Sequence, residues 1–223
     1  MTASRLAGWS VSLAVLVTVY PANRLSAQHA SIGGQIVFGD YREVSSDLHY
    51  RGSGGGVSAS FTYKKLGIEG SLASISYDPV AGSTATVSFK ATQLDIRARY
   101  YITGPVSAEV GIVNRKAKPE FEAQSVGAVR AGVRMSYPLG VGVNMGLRGG
   151  MLFGSKFSGG GTVSGVGALE LGLNMAVDAM KGRLRLTGDY DFQRIARTTG
   201  SGPGKADVPI QQALARVGLA VAF

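Results

Sequence analysis

In segment after segment of this chain the apolar residues recur at every second position, and one of the two faces so formed carries almost no charge. Residues 166–178 show it most cleanly. Leu169, Leu171, Leu173, Met175 and Val177 alternate there with Glu170, Gly172, Asn174, Ala176 and Asp178. A period of two is that of an extended strand, and a helical period fails throughout the chain beyond residue 28. A strand with one apolar side and one small or charged side suits a wall between lipid and a filled lumen.

Ten segments follow this rule: 32–42, 55–63, 66–77, 85–102, 106–113, 126–137, 141–153, 166–178, 183–193 and 210–223. Tight turns at 64–65, 103–105, 138–140 and 179–182 alternate with longer polar breaks at 43–54, 78–84, 114–124, 154–165 and 194–209. Short turns at one rim and longer loops at the other, with an even count, imply an all-β fold. The form expected is a transmembrane antiparallel up-and-down β-barrel of about ten strands, with eight possible. Two faults interrupt the phase. Ile75 and Tyr77 break the alternation that ends the third segment, and in the fourth Val87 and Phe89 fall on the opposite parity to Leu94, Ile96, Ala98, Tyr100 and Ile102. A one-residue slip swaps faces, so a β-bulge is expected near Thr92-Gln93.

A soluble lipocalin-like barrel would alternate in the same way. Three features favour the membrane. One face of every good segment is nearly free of charge, and aromatics such as Tyr63, Tyr100, Tyr137, Phe153, Tyr190 and Phe192 sit near segment ends, where interfacial girdles lie. The third feature is the end of the chain, where Val217, Leu219, Val221 and Phe223 share one face.

Arg216, Gly218, Val221 and Phe223 also resemble the carboxy-terminal assembly signal of bacterial outer-membrane β-barrel proteins: a polar residue, a Gly two places on, then hydrophobics alternating up to a terminal aromatic. The resemblance covers eight residues and implies recognition by the barrel-assembly machinery. In kind the chain resembles the small OmpA/OmpX-like barrels. That implies a porin-like Gram-negative envelope protein among outer-membrane lipid and lipopolysaccharide, present as a monomer.

The other end carries a different signal. Arg5, an apolar run from Leu6 to Tyr20 and the small residues before Gln28 have the layout of a cleaved secretory leader, expected over 1–27, with the barrel domain over 28–223. The run is shorter than the ~20 apolar residues of a spanning helix. With no Cys the chain can form neither a disulfide framework nor a lipidated amino terminus. The formal net charge of +9 falls to about +7 without Arg5 and Arg24. The densest basic cluster is Arg115, Lys116 and Lys118, which is too sparse for nucleic acid and a better match to an anionic membrane surface.

The polar face collects seven acids, Glu69, Asp95, Glu109, Glu170, Asp178, Asp189 and Asp191, and seven arginines, Arg97, Arg99, Arg130, Arg134, Arg148, Arg185 and Arg216. A lumen of about ten strands leaves little room beyond side chains, and unpaired buried charge is costly, so these are expected to pair as arginine–carboxylate forks. The expected role is non-enzymatic, structural or surface-interacting. A small pore for ions or polar solutes is the alternative, and an envelope hydrolase acting on protein or lipid A a distant third. His49 with Asp47 is the one His–acid couple available to a hydrolase, and a solvated surface pair is the plainer reading. The glycine runs 52–56 and 158–161 lack the following Lys-Ser/Thr of a phosphate loop and read as flexible. No cofactor or metal ligand set is indicated.

Overall fold

The computed structural model describes residues 29–118, 121, 125–159, 162–199 and 202–223. The expected leader peptide and its cleavage after Ala27 lie outside them. Ten long strands are present: β1 (His29–Glu43), β2 (Leu48–Tyr63), β3 (Leu66–Pro79), β4 (Phe89–Thr103), β5 (Val106–Lys118), β6 (Val126–Gly140), β7 (Val143–Phe157), β8 (Thr162–Ala179), β9 (Leu184–Thr199) and β10 (Ile210–Ala222). Each pairs antiparallel with its neighbour in sequence, and β10 pairs with β1 from Ser31↔Ala222 to Glu43↔Ile210, closing the sheet. Ala206 and Asp207 add a two-residue extension to β9.

Closure fixes the geometry. Stepping from partner to partner, Ala30 leads through Phe61, Ile68, Ala98, Val110, Ala131, Met151, Leu169, Arg194 and Gln211 back to β1 at Arg42. The return point is 12 residues from the start, so the ten strands carry a shear of 12. That stagger corresponds to strands tilted by roughly 40°. At ~3.3 Å per residue a 15-residue strand then rises about 38 Å, well beyond the ~25 Å apolar band of such barrels.

The extra height has its own polarity. Over the lower part of the wall the exposed side chains are apolar: Ile32, Ile36 and Phe38 on β1, Val57 and Phe61 on β2, Leu169, Leu171, Leu173 and Met175 on β8, and Val217, Leu219 and Val221 on β10. Such a belt is far larger than the apolar patches of soluble proteins, and lipid is the solvent that tolerates it. The lipocalin alternative, with charge outside, is thereby excluded. Toward the long-loop rim the same outward parity turns polar, with Asp40 and Arg42 on β1, His49 and Arg51 on β2, Ser74, Ser76 and Asp78 on β3, and Lys116 and Lys118 on β5. There the inward parity becomes apolar. Tyr41, Tyr50, Ile75, Tyr77, Phe89, Val113, Ile195 and Ile210 are all buried.

This inversion corrects both phase faults. Ile75 and Tyr77 keep the inward parity of Glu69 and Ser71. Phe89 keeps that of Asp95 and Arg97, and the β3–β4 register runs unbroken from Leu66↔Tyr100 to Tyr77↔Phe89, so no bulge lies near Thr92-Gln93. The strands do not slip; their surroundings change. Register shifts occur instead at Tyr101/Thr103, Gly127/Val129, Pro138/Gly140 and Val163/Ala168.

The same inversion lengthens the strands. Stretches expected as loops at 43–54, 114–124 and 194–209 are strand through Glu43, from Leu48, through Lys118 and through Thr199. The glycine run 52–56 is strand as well, not loop, and the run 158–161 lies partly outside the described residues. A Cβ on Gly39 or Gly52 would collide with the Tyr77 ring, so these glycines make room for an aromatic core. The third short turn falls at Val141-Gly142 instead of 138–140, where Gly142 takes the left-handed backbone (φ +74°) that favours glycine.

Candidate functional site

The lumen is the place where the charged residues converge, because the inward parity of six strands delivers them to one height. Asp191 on β9 is the hub, with its side chain only 2% exposed. It accepts from Arg97 Nη2 (3.2 Å), Arg148 Nε (2.9 Å) and Arg216 Nη1 (2.5 Å), donors from β4, β7 and β10. Asp95 accepts a two-pronged bond from Arg97, both contacts at 2.9 Å, and a third from Arg130 Nη2 at 2.9 Å. Glu170 accepts from Arg130 Nη1 at 2.8 Å and lies 3.4 Å from Arg97 Nη2. Planar guanidinium forks meet carboxylates in pairs here, a geometry that offsets part of the desolvation cost of burying both charges.

Below this layer the lumen opens toward the short-turn rim as a cavity of about 150 Å³. Glu69 stands in it between Arg99 Nη2 (2.7 Å) and Arg134 Nη1 (2.9 Å), and Arg134 also donates to Asn174 Oδ1 at 2.8 Å. Arg185 holds Asp178, its cross-strand partner, at 2.6 and 3.1 Å. Glu109 has looser contacts with Arg97 (3.7 Å) and Arg134 (3.8 Å). Asp189 is 3.5 Å from Arg148 and 30% exposed, so this lower vestibule is wet where the central layer is dry. All fourteen charged residues singled out on the polar face project inward.

Above the ionic layer comes a set of residues that the sequence did not mark as facing the lumen. Arg115 Nη1 donates across the barrel to Gln212 Oε1 (2.6 Å), whose amide donates to Gln93 Oε1 (3.1 Å), and the Arg115 guanidinium lies 4.7 Å from the Tyr41 ring centre. Higher still, Tyr77 stacks on Phe89 at 4.8 Å, and Tyr50 meets Phe89 edge-on at 5.0 Å. Phe121, from the β5–β6 connection, closes over Phe89 at 4.7 Å and Tyr50 at 5.3 Å. Grouped with Lys116 and Lys118 as one basic cluster, Arg115 is separated from them by parity: it faces in and they face out. Its two-residue spacing from Glu109 through Gly111 and Val113 was the signal that would have placed it inside.

The assembly-signal residues occupy the closing seam. Phe223 exchanges backbone hydrogen bonds with Ala30, 2.9 Å donated and 3.0 Å accepted. Val221 faces outward, paired with Ile32 and Leu184, while Arg216 and Gly218 face inward. The expected Asp47–His49 couple does not form. Asp47 accepts from Arg42 at 3.1 Å, and His49 Nε2 instead lies 3.0 Å from Asp40 Oδ2, on the outside of the wall. Register explains it, because Arg42 is the cross-strand partner of His49 and Asp40 that of Arg51, which makes Asp40 a diagonal neighbour of His49.

No protein-family model matches the sequence, and no curated protein matches it significantly. Among solved structures the barrel is similar to the outer membrane protease OmpT from Escherichia coli, over 88% of this chain and 96% of that one, at 8% identity and a TM-score of 0.54. It also aligns with Neisserial surface protein A (12% identity, 87% and 97% covered, TM-score 0.40). A third alignment is with Ail, the attachment invasion locus protein of Yersinia pestis (13% identity, 88% and 99% covered, TM-score 0.41). At such identities the likeness is one of fold. With the unbroken closure and the outward apolar belt, it makes the chain a transmembrane barrel with the fold of bacterial outer-membrane β-barrel proteins.

Proposed function

We propose that the protein is a non-conducting, non-enzymatic barrel of the bacterial outer membrane, reaching it through a cleaved leader and the assembly machinery, with a structural or surface-interacting role. One observation carries this reading: the lumen is closed twice, by the Asp191–Arg97–Asp95–Arg130–Glu170 layer and above it by Tyr41, Tyr50, Tyr77, Phe89 and Phe121. An ion entering the vestibule meets a dry salt-bridge network and then an aromatic core, and each raises its transfer cost. What projects beyond the membrane is a rigid, polar-walled extension, a form suited to contact with other envelope or external surfaces.

The wet vestibule beneath Glu69 and Asp189 favours a pore as the second reading, since it forms half of a path. Planar-bilayer recordings decide between the two. The purified barrel is expected to give no stable open steps, and reproducible unitary steps would replace the sealed reading with the pore. A hydrolase finds less support. The chain's two histidines are His29, at the start of β1, and His49, on the outer wall away from the lumen. Replacement of His49 by Ala is accordingly expected to change no envelope phenotype.

A further inference from the structure

Two sectors of the outer wall reach the same height above the apolar belt and treat charge in opposite ways. On β1–β3 every outward charge has a partner: Arg42 bonds Asp47 (3.1 Å), Asp40 lies within 3.0 Å of His49 and 3.4 Å of Arg51, and Asp78 accepts from Ser88 (2.6 Å). On β4–β7 the outward residues include Lys90, Lys116, Lys118 and Lys156, all exposed, and no Asp or Glu among the described residues. None of the four lysines makes an ion pair with a described residue.

Their arrangement is self-repelling. Lys90 and Lys118 are direct cross-strand partners, which sets their Cβ atoms about 5 Å apart on one face, and like charges so placed destabilise a sheet. Lys116 follows two residues below Lys118, opposite Thr92. Lys156 stands opposite Gly127, which is itself paired with Asn114, so it joins the cluster across β6.

Height identifies what would neutralise them. The apolar belt on these strands ends at Leu94 and Ile112, and the Leu94–Asn114 pair marks its edge. Lys116 lies two residues past that pair and Lys118 and Lys90 four, or about 5 and 10 Å along the barrel axis. The polar regions add roughly 5–7 Å to each side of the hydrocarbon, so Lys116 stands within the headgroup layer and Lys90 and Lys118 just above it, from where their long side chains reach back into it.

We propose that this β4–β7 face is a binding site for a phosphorylated lipid headgroup of the surrounding leaflet, with Lys90 and Lys118 clasping one phosphate and Lys116 and Lys156 flanking it. The acyl chains lie along the belt below, on Ile96, Val110, Ile112 and Val129, which are exposed there. The site gives the barrel a preferred lipid-facing side, and the ion-paired β1–β3 face offers no equivalent. The inference rests on the barrel being membrane-spanning.

The test uses the full chain recovered from membranes in a non-ionic detergent, titrated with diphosphorylated lipid A and with the same lipid after dephosphorylation, the bound lipid being counted by native mass spectrometry. The wild-type barrel is expected to prefer the phosphorylated form. Lys90→Gln with Lys118→Gln is expected to reduce that preference by about tenfold or more, Lys90→Arg with Lys118→Arg to keep it, and Arg42→Gln with Arg51→Gln on the balanced face to leave it unchanged. An undiminished preference in the glutamine variant would overturn the site. Full displacement of the lipid by millimolar inorganic phosphate would overturn the lipid as its occupant, and so would displacement by soluble dextran sulfate. Heat-modifiable gel migration of each variant reports the barrel separately, so loss of the fold and loss of the site give different results.

Discussion

The two tiers of this barrel use one code with opposite meanings. In the lower tier the outward positions are Val, Leu and Ile, and the inward ones are charges clamped by Asp191 and its neighbours. In the upper tier the outward positions are Ser, Asp, Lys and His, and the inward ones are Tyr, Phe and Ile. Strands β3 and β4 run through both without a change of parity. What differs is the solvent outside: a lipid-facing residue must be apolar and a water-facing one need not be, so the core moves indoors once the wall leaves the membrane. A continuous strand can therefore belong to a membrane protein at one end and to a soluble barrel at the other.

The comparison predicts how each tier breaks. The largest effect is expected from Asp191→Ala, which removes the acceptor shared by Arg97, Arg148 and Arg216 in a dry lumen. Removing one partner of a buried ion network costs about 3–5 kcal/mol, to be read from guanidinium unfolding followed by far-UV circular dichroism, and a loss below 1 kcal/mol would mean that water reaches this layer. Next is a pair of identical changes on the outward parity. Leu173→Arg, in the middle of the belt, should cost about 2–4 kcal/mol, and Ser76→Arg, above it, about 0–1. Refolding into lipid vesicles measures both, and equal costs would erase the boundary between the tiers. The smallest effect is expected from Tyr77→Phe, which removes a hydroxyl that accepts from Gln212 at 3.4 Å. A loss of about 0.5 kcal/mol by the same unfolding measurement fits so long a bond, at the low end for a hydrogen bond.

The lower tier was legible because its pattern is dense. Leu169 through Val177 or Val217 through Phe223 give four or five outward apolar residues in a row, and the inward charges mark the other parity. The upper tier read as loop because its outward residues are polar and its inward ones are separated by Gly, Ser and Lys, so that Gly52 and Gly54 look like flexibility when they are clearance for Tyr77 and for neighbouring backbone. The apparent phase faults at Ile75, Tyr77 and Phe89 were the boundary itself, visible in the sequence but ambiguous between a slipped strand and a changed environment.

The sequence by itself determined the period of two, the even strand count and the segregation of charge to one parity, because these follow from backbone geometry and from counting residues along a line. The tertiary structure alone decided where the belt stops, that His49 meets Asp40 and not Asp47, and which arginines share Asp191. The last of these depends on closure with a shear of 12, which brings β4, β7, β9 and β10 to a common height across the lumen. A stagger of that kind is a property of the closed sheet as a whole, and no single strand contains it.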